Sequence, residues 1–286
     1  MKTILYSLIA IIIFGIIASG FINKVNNNNI ILIQSIDNDV SSVSLTQSVK
    51  IISNRLRDFS SEKFDVTIIP EKNQIQVKFT NTWDLKTAEN LLTKKGTMEF
   101  YETYNHKNLV ELLNGDKHLF SLLNGVDAKN SPIKVGCIPV SEVGKVNDYL
   151  NTLGLNQKCK FAWTQYFDNS DICLYVLKID GKKGALIEGT DIESVKFKQD
   201  TASKENEIEI IIKKSAITLW SNATKCNIGK AIAIVLDNNV ISSPIVRSEI
   251  DGGHSLITGD FTETQAKYIA ALGNNGVLPL SFKILK

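Results

Sequence analysis

The stretch that most constrains the fold is residues 229–285, which pack strand, turn and capped-helix signals together with almost no slack between them. Residues 230–236 form a short, nearly apolar run rich in Ile and Val, the pattern of a buried strand. Asp237, Asn238 and Asn239 follow. These residue types tolerate positive φ and bond their own backbone, so a tight turn is expected. Residues 240–246 return as a second strand, and Pro244, with no N–H to donate, puts that strand at an edge or bends it. Asp251, Gly252 and Gly253 mark another turn before a short strand at 254–258. Thr262 and Gln265 have capping-box spacing, and Ala266, Ile269, Ala270 and Leu272 supply the apolar stripe of the helix they open. Asn274, Asn275 and Gly276 end that helix, and residues 277–285 read as a final strand.

Upstream, the periods alternate in the same way. Residues 30–36 read as a strand and 44–57 as a helix, opened by Ser44 and Gln47, with Val49, Ile52 and Leu56 on one face. Residues 64–69 and 74–79 are strands joined by a turn at 70–73. Asp84 caps a helix carrying Ala88, Leu91 and Leu92, Gly96 stops it, and 97–104 is a strand. The order βαββαβ is that of a ferredoxin-like split βαβ unit. Residues 105–131 have helical apolar spacing interrupted by Asn-Gly, 141–153 is a short helix, and 160–165 and 172–179 are strands. Beyond them, 205–212 alternates charged and apolar residues, as a sheet with one wet face does, and 215–226 is a helix with Ile217, Leu219 and Trp220 available for burial.

Before all of this stands an apolar run, residues 4–22, with no charge until Lys24. As a helix it would span roughly 28 Å, close to the hydrocarbon core of a bilayer. Ala18, Ser19 and Gly20 offer the small residues of a signal-peptide cleavage site, the rival reading, but the run is long for a signal peptide and favours a retained anchor. Lys2 and the amino terminus place the body outside the cytoplasm.

Lys and Arg number 32 against 30 Asp and Glu, a formal charge of +2 spread along the chain, which excludes the concentrated basic face of a nucleic-acid binder. The four cysteines, Cys137, Cys159, Cys173 and Cys226, form no C-x-x-C pair and so no zinc knuckle or thioredoxin-like site. Buried apolar cysteines are the plainer reading; one disulfide is open to a body outside the cytoplasm, with its pairing undetermined. His106, His118 and His254 lie apart in polar surroundings, and no H-E-x-x-H, G-x-S-x-G or P-loop occurs. Asp237, Glu249 and Asp251 lack the cadence of a calcium loop. No enzyme, metal or cofactor is expected.

The blocks GKAIAIVLDNNVISSPIV (229–246), EIDGGHSLITGDFT (249–262) and NNGVLPL (274–280) resemble the head of the first periplasmic domain of SecD, an auxiliary subunit of the bacterial Sec protein-export machinery. NRLRDF (54–59) and GTMEFYETY (96–104) are similar to that domain's base, and KFAWTQ (160–165) and ICLYVLKI (172–179) to the insertion of the fused form, SecDF. Two positions depart from the family: IQSIDNDV stands where a glycine-rich segment is usual, and Glu188 differs in the head's entry segment. The resemblance implies an α+β chain with a transmembrane anchor at 1–23, a ferredoxin-like base at 28–105, a connector at 106–180 and a head at 181–286. It implies a single-pass protein of the inner (cytoplasmic) membrane whose extracytoplasmic body binds unfolded exported polypeptide beside the Sec channel or a full-length SecDF. With one hydrophobic segment and no intramembrane Asp or Arg, no proton-driven motor of its own is expected. The expected peptide contacts are Pro244, Ile245, Arg247, Gly252, Gly253 and Gly259, along an edge strand at 240–246. The contrasting expectation is an envelope structural or regulatory protein that keeps the fold without binding exported chains.

Overall fold

Alternation of apolar and polar residues makes the first strands one-sided, and a helix with an apolar stripe covers the side they bury. In the computed structural model, which describes residues 29–80, 83–125, 133–165, 171–179 and 184–285, Ile30–Ser35 is β1, Ser42–Phe59 α1, Phe64–Ile69 β2, Gln74–Phe79 β3, Leu85–Thr93 α2 and Met98–Glu102 β4. His106–Leu112 and His118–Ser121 are α3 and α4, Lys134–Ile138 is β5, Val143–Thr152 α5, and Cys159–Thr164 and Ile172–Lys178 are β6 and β7. Ile187–Glu188 is β8, Ile192–Gln199 β9, Asn206–Ile212 β10 and Ile217–Cys226 α6. Ile232–Leu236, Asn239–Ser242 and His254–Ile257 are β11, β12 and β13, Glu263–Asn274 is α7, and Phe282–Leu285 is β14.

The expected transmembrane anchor at 1–23 lies outside the described residues. Among the described residues no helix is long and apolar enough to cross a membrane.

Three sheets form. The first has the order β14-β1-β3-β2, every pair antiparallel. Its elements β1, α1, β2, β3 and α2 follow the expected order, but residues 97–104 do not close it. The fourth place belongs to β14, with Leu32 opposite Leu285. β4 instead pairs with β11 and β8 inside a seven-stranded sheet of order β5-β7-β6-β12-β11-β4-β8. The physical reason is two-sided burial: Met98, Phe100 and Tyr101 are all buried, which suits an interior strand. The third sheet is β13-β10-β9. The expected edge at 240–246 is likewise corrected. β12 spans only Asn239–Ser242 and runs between β11 and β6, bonded on both sides.

Local signals fix the helix starts. Thr262 and Gln265 form the expected capping box on α7, and the Asp84 carboxylate accepts the Thr87 N–H at 2.7 Å to start α2. α1 starts earlier than the Ser44–Gln47 spacing suggests: Ser41 and Ser44 form the box, each hydroxyl accepting the other's backbone N–H.

One continuous core runs from the first sheet into the third, from Ile33, Ile52 and Leu91 to Ile208, Trp220 and Ile269. Each such buried Leu or Ile contributes about 1.5–3 kcal/mol. A second core gathers around Leu119, Val146 and Leu174, within residues 109–176. There Cys137 and Cys173, opposite one another on β5 and β7, form a disulfide, while Cys159 and Cys226 stay free.

The joint between α1, the α2–β4 segment and the end of α7 is polar. Arg55 is fully buried, and its guanidinium donates to the carbonyls of Lys94 (2.6 Å), Lys95 (2.7 Å), Gly276 (3.1 Å) and Leu91 (3.3 Å). A Cβ at Gly96 would overlap that guanidinium, and φ at Gly96 is +78°, so glycine is required twice over. Asp237, at the tip of the β11–β12 turn, accepts the N–H groups of Gly96 (2.9 Å) and Thr97 (2.8 Å) from the other side. Burial pulls the Arg55 pKa down to about 10, with Asp237 opposing the fall, so the guanidinium stays charged at neutral pH.

Candidate functional site

The antiparallel β10–β13 pair and the segment after β12 leave a groove between them. β13 ends the third sheet, so its outer backbone edge has no strand partner among the described residues. Residues 244–248 form the facing wall. That wall is held by hydrogen bonds to residues 229–232: the Pro244 carbonyl accepts the Ile232 N–H at 3.1 Å, and the Val246 N–H donates to the Lys230 carbonyl at 2.9 Å. Pro244 therefore takes part through its carbonyl and needs no donor of its own, which is why proline is tolerated here.

The floor is aromatic and aliphatic, built from Phe100 of β4, Trp220 of α6, and Ile232 and Ile234 of β11. Trp220 meets Phe100 edge to face at 5.3 Å and donates its indole N–H to Ser255 Oγ at 3.1 Å, which locks the ring beneath the edge strand. Thr224 of α6 accepts the Ile250 N–H at 2.9 Å and so fixes the chain between wall and turn. The cavity measures about 200 Å³. Ile245 and Leu256 stand at its rims, 58% and 53% exposed, an unusual position for side chains of that size in a folded surface.

Of the expected contacts, Pro244, Ile245 and Arg247 line this groove. Gly252, Gly253 and Gly259 do not. Gly253 is buried at the turn into β13 with φ +71°, its carbonyl accepts the Ile212 N–H at 2.8 Å, and a Cβ there would lie 2.9 Å from Ile217 Cγ1. It sets how β13 enters the sheet. Sequence reasoning missed Phe100, Trp220, Ser255 and Leu256 as groove residues. One signal was present: Leu256 is apolar beside buried Ile257, where strict alternation would put a polar residue.

Four other titratable groups singled out in the sequence are engaged in structure. Glu249 accepts hydrogen bonds from Ser221 and Lys225, which hold its carboxyl below the ordinary range, and Asp237 serves the Arg55 joint. His106 bonds the Lys134 carbonyl and stacks on Phe120, and His118 packs on Tyr149. Among the described residues no group of three or more His, Cys, Asp or Glu could hold a metal ion.

Fold and groove together define a mixed α/β protein of several sheets, with one strand edge open above an apolar floor. Its relatives are specific. Residues 175–280 match the family described as SecDF, P1 head subdomain. SecD of Calditerrivibrio nitroreducens is 25% identical over 265 residues, covering 91% of this chain and 44% of that protein. SecD of Leptotrichia buccalis is 34% identical over 108 residues, 37% of this chain and 26% of that one. A solved structure described as a membrane component SecDF that enhances protein export superposes with a TM-score of 0.51 at 17% identity, covering 90% of this chain and 98% of that one. Residues 175–280 are thus similar to a SecDF P1 head, and the chain is similar to SecD over most of its length. It spans less than half the length of these two SecD proteins.

Proposed function

We propose that this chain acts in Sec-dependent protein export by holding a stretch of translocating polypeptide in the groove between β13 and residues 244–248. The observation that carries the reading is the unpartnered outer edge of β13 above an apolar floor. An extended segment added there gains main-chain hydrogen bonds from the edge, while alternate side chains reach Trp220 and Phe100. Such binding is sequence-tolerant, as a factor handling many exported chains requires. It is also weak, because the captured chain loses its conformational freedom. The body works on the extracytoplasmic side, tethered to the inner membrane through the apolar run at 4–22, with the Sec channel as its partner. The Cys137–Cys173 disulfide supports that side of the membrane, since such bonds persist in oxidising compartments.

The test is a titration of the full chain with a synthetic Val/Thr peptide that cannot fold alone, followed by tryptophan fluorescence. Wild type should bind, and Leu256→Glu, which puts a charge on the groove rim, should weaken binding about tenfold. The same variant should leave the urea midpoint within the scatter of ordinary surface substitutions, about 0.5 kcal/mol. Absence of binding by the folded wild-type chain overturns the reading.

A further inference from the structure

A second cavity, of about 490 Å³, opens on the other side of Ile245, where the connector meets the head. Its chemistry differs from that of the groove. Lys134 of β5, Lys178 of β7 and Lys230 line it, and no Asp or Glu does. Lys178 is neutralised by Glu102 at 3.2 Å. Lys134 and Lys230 have no acidic partner within salt-bridge distance among the described residues, and Lys230 donates only to the neutral Cys226 carbonyl at 3.2 Å. The Tyr175 hydroxyl also reaches this cavity from a side chain that is 3% exposed. It accepts a hydrogen bond from Ser243 Oγ at 3.3 Å, which leaves its own proton free to donate. Two ammonium groups outside any salt bridge, Lys230 feeling the Glu102 carboxylate only at longer range, and a buried hydroxyl donor in one concave site suit an anion with several acceptor oxygens, and partial enclosure strengthens each attraction over its value in open water.

We propose that this basin receives the carboxylates of acidic side chains on the same polypeptide that the groove holds. The inference rests on the groove reading, because Ile245 lines both cavities and a chain leaving the groove across it reaches the basin within a few extended residues, at about 3.3 Å each. The substrate class is thereby narrowed to an apolar stretch followed closely by Asp or Glu.

The experiment compares two peptides on the full chain, a Val/Thr core followed by a short Glu tract and the same core followed by a Gln tract. Wild type should bind the Glu peptide about tenfold more tightly at low salt, and the preference should vanish near 1 M salt. Lys134→Glu with Lys230→Glu should abolish the preference and leave the Gln peptide's affinity unchanged. Lys134→Gln with Lys230→Gln, which keeps side-chain bulk, should reduce it part of the way. Equal affinity of wild type for both peptides, or a preference that survives in the Lys134→Glu with Lys230→Glu variant, overturns the basin and leaves the groove standing. Binding of the Glu peptide alone overturns the groove as the anchor and, with it, the coupling of the two sites.

Discussion

The Arg55 joint and the β13 groove are both places where segments remote in sequence meet, and they treat exposed backbone in opposite ways. At the joint the carbonyls and amides are met, and of the buried guanidinium only Nε is left without a partner. Carbonyls left over at the ends of α2 and α7 receive Arg55, and the amides of Gly96 and Thr97 receive Asp237. At the groove the surplus is left open, with a strand edge lacking a partner and two large apolar side chains at the rim. A satisfied polar seam holds its parts in one arrangement, since moving any part strands a buried group. An unsatisfied apolar edge does the reverse and reserves its stabilisation for something not yet bound. The contrast separates what the molecule uses to stay folded from what it offers to a partner.

The sharpest way to break this contrast is Arg55→Leu. It removes the donors of four carbonyls in a dry setting and should lower stability by about 3–5 kcal/mol in urea unfolding. A loss below ~1 kcal/mol would mean the joint is wet and the comparison false. Gly253→Val should come next, at about 3 kcal/mol, because a β-branched residue is forced to φ +71° against Ile217. Peptide affinity should fall with it, since the turn places β13. Asp237→Ala removes two charge-assisted hydrogen bonds and should cost about 2 kcal/mol, with a cycle against Arg55→Leu showing coupling of ~1 kcal/mol. Asp84→Ala, remote from both regions, should cost only about 1 kcal/mol as a lost helix cap.

That last difference should also depend on pH. The hydrogen bond with Thr87 lowers the Asp84 pKa from 3.8, so its contribution is present above that value and lost as pH falls through the lower folded-state pKa. Wild type and Asp84→Ala should therefore converge in strongly acidic urea titrations.

What the sequence made legible was local. The positive φ of Asp237 and Asn238, the Thr262–Gln265 box and the Asp84 cap are each written in adjacent residues, and each stands where the sequence predicts. Partnership at a distance was not legible. Residues 97–104 and 277–285 are both short apolar segments that follow a helix, so period alone could not say which closes the first sheet. The choice was made by packing beyond the strand itself: β4 pairs with β11 and is covered on both faces, Met98 and Phe100 in the main core and Tyr101 in a separate cluster with Ala233 and Val235. Pro244 marked a bent wall correctly, but the free edge belonged to the strand opposite it. The carboxylate of Asp237 read as turn chemistry, although its acceptors' work is done on Gly96 and Thr97. Likewise, the Cys137–Cys173 pairing depends on the β5–β7 register, which spacing does not encode.

The pairing of β1 with β14 has a kinetic side. Leu32 meets Leu285, so the first sheet is completed by a strand joined to it through nearly the whole described sequence. The entropy of closing so long a loop must be met before any ladder bond of that pair is gained, and contacts of this range slow folding far more than they alter final stability. During synthesis β1 waits with one flank bare until β14 emerges, exposed to adventitious strand pairing that the completed sheet no longer permits.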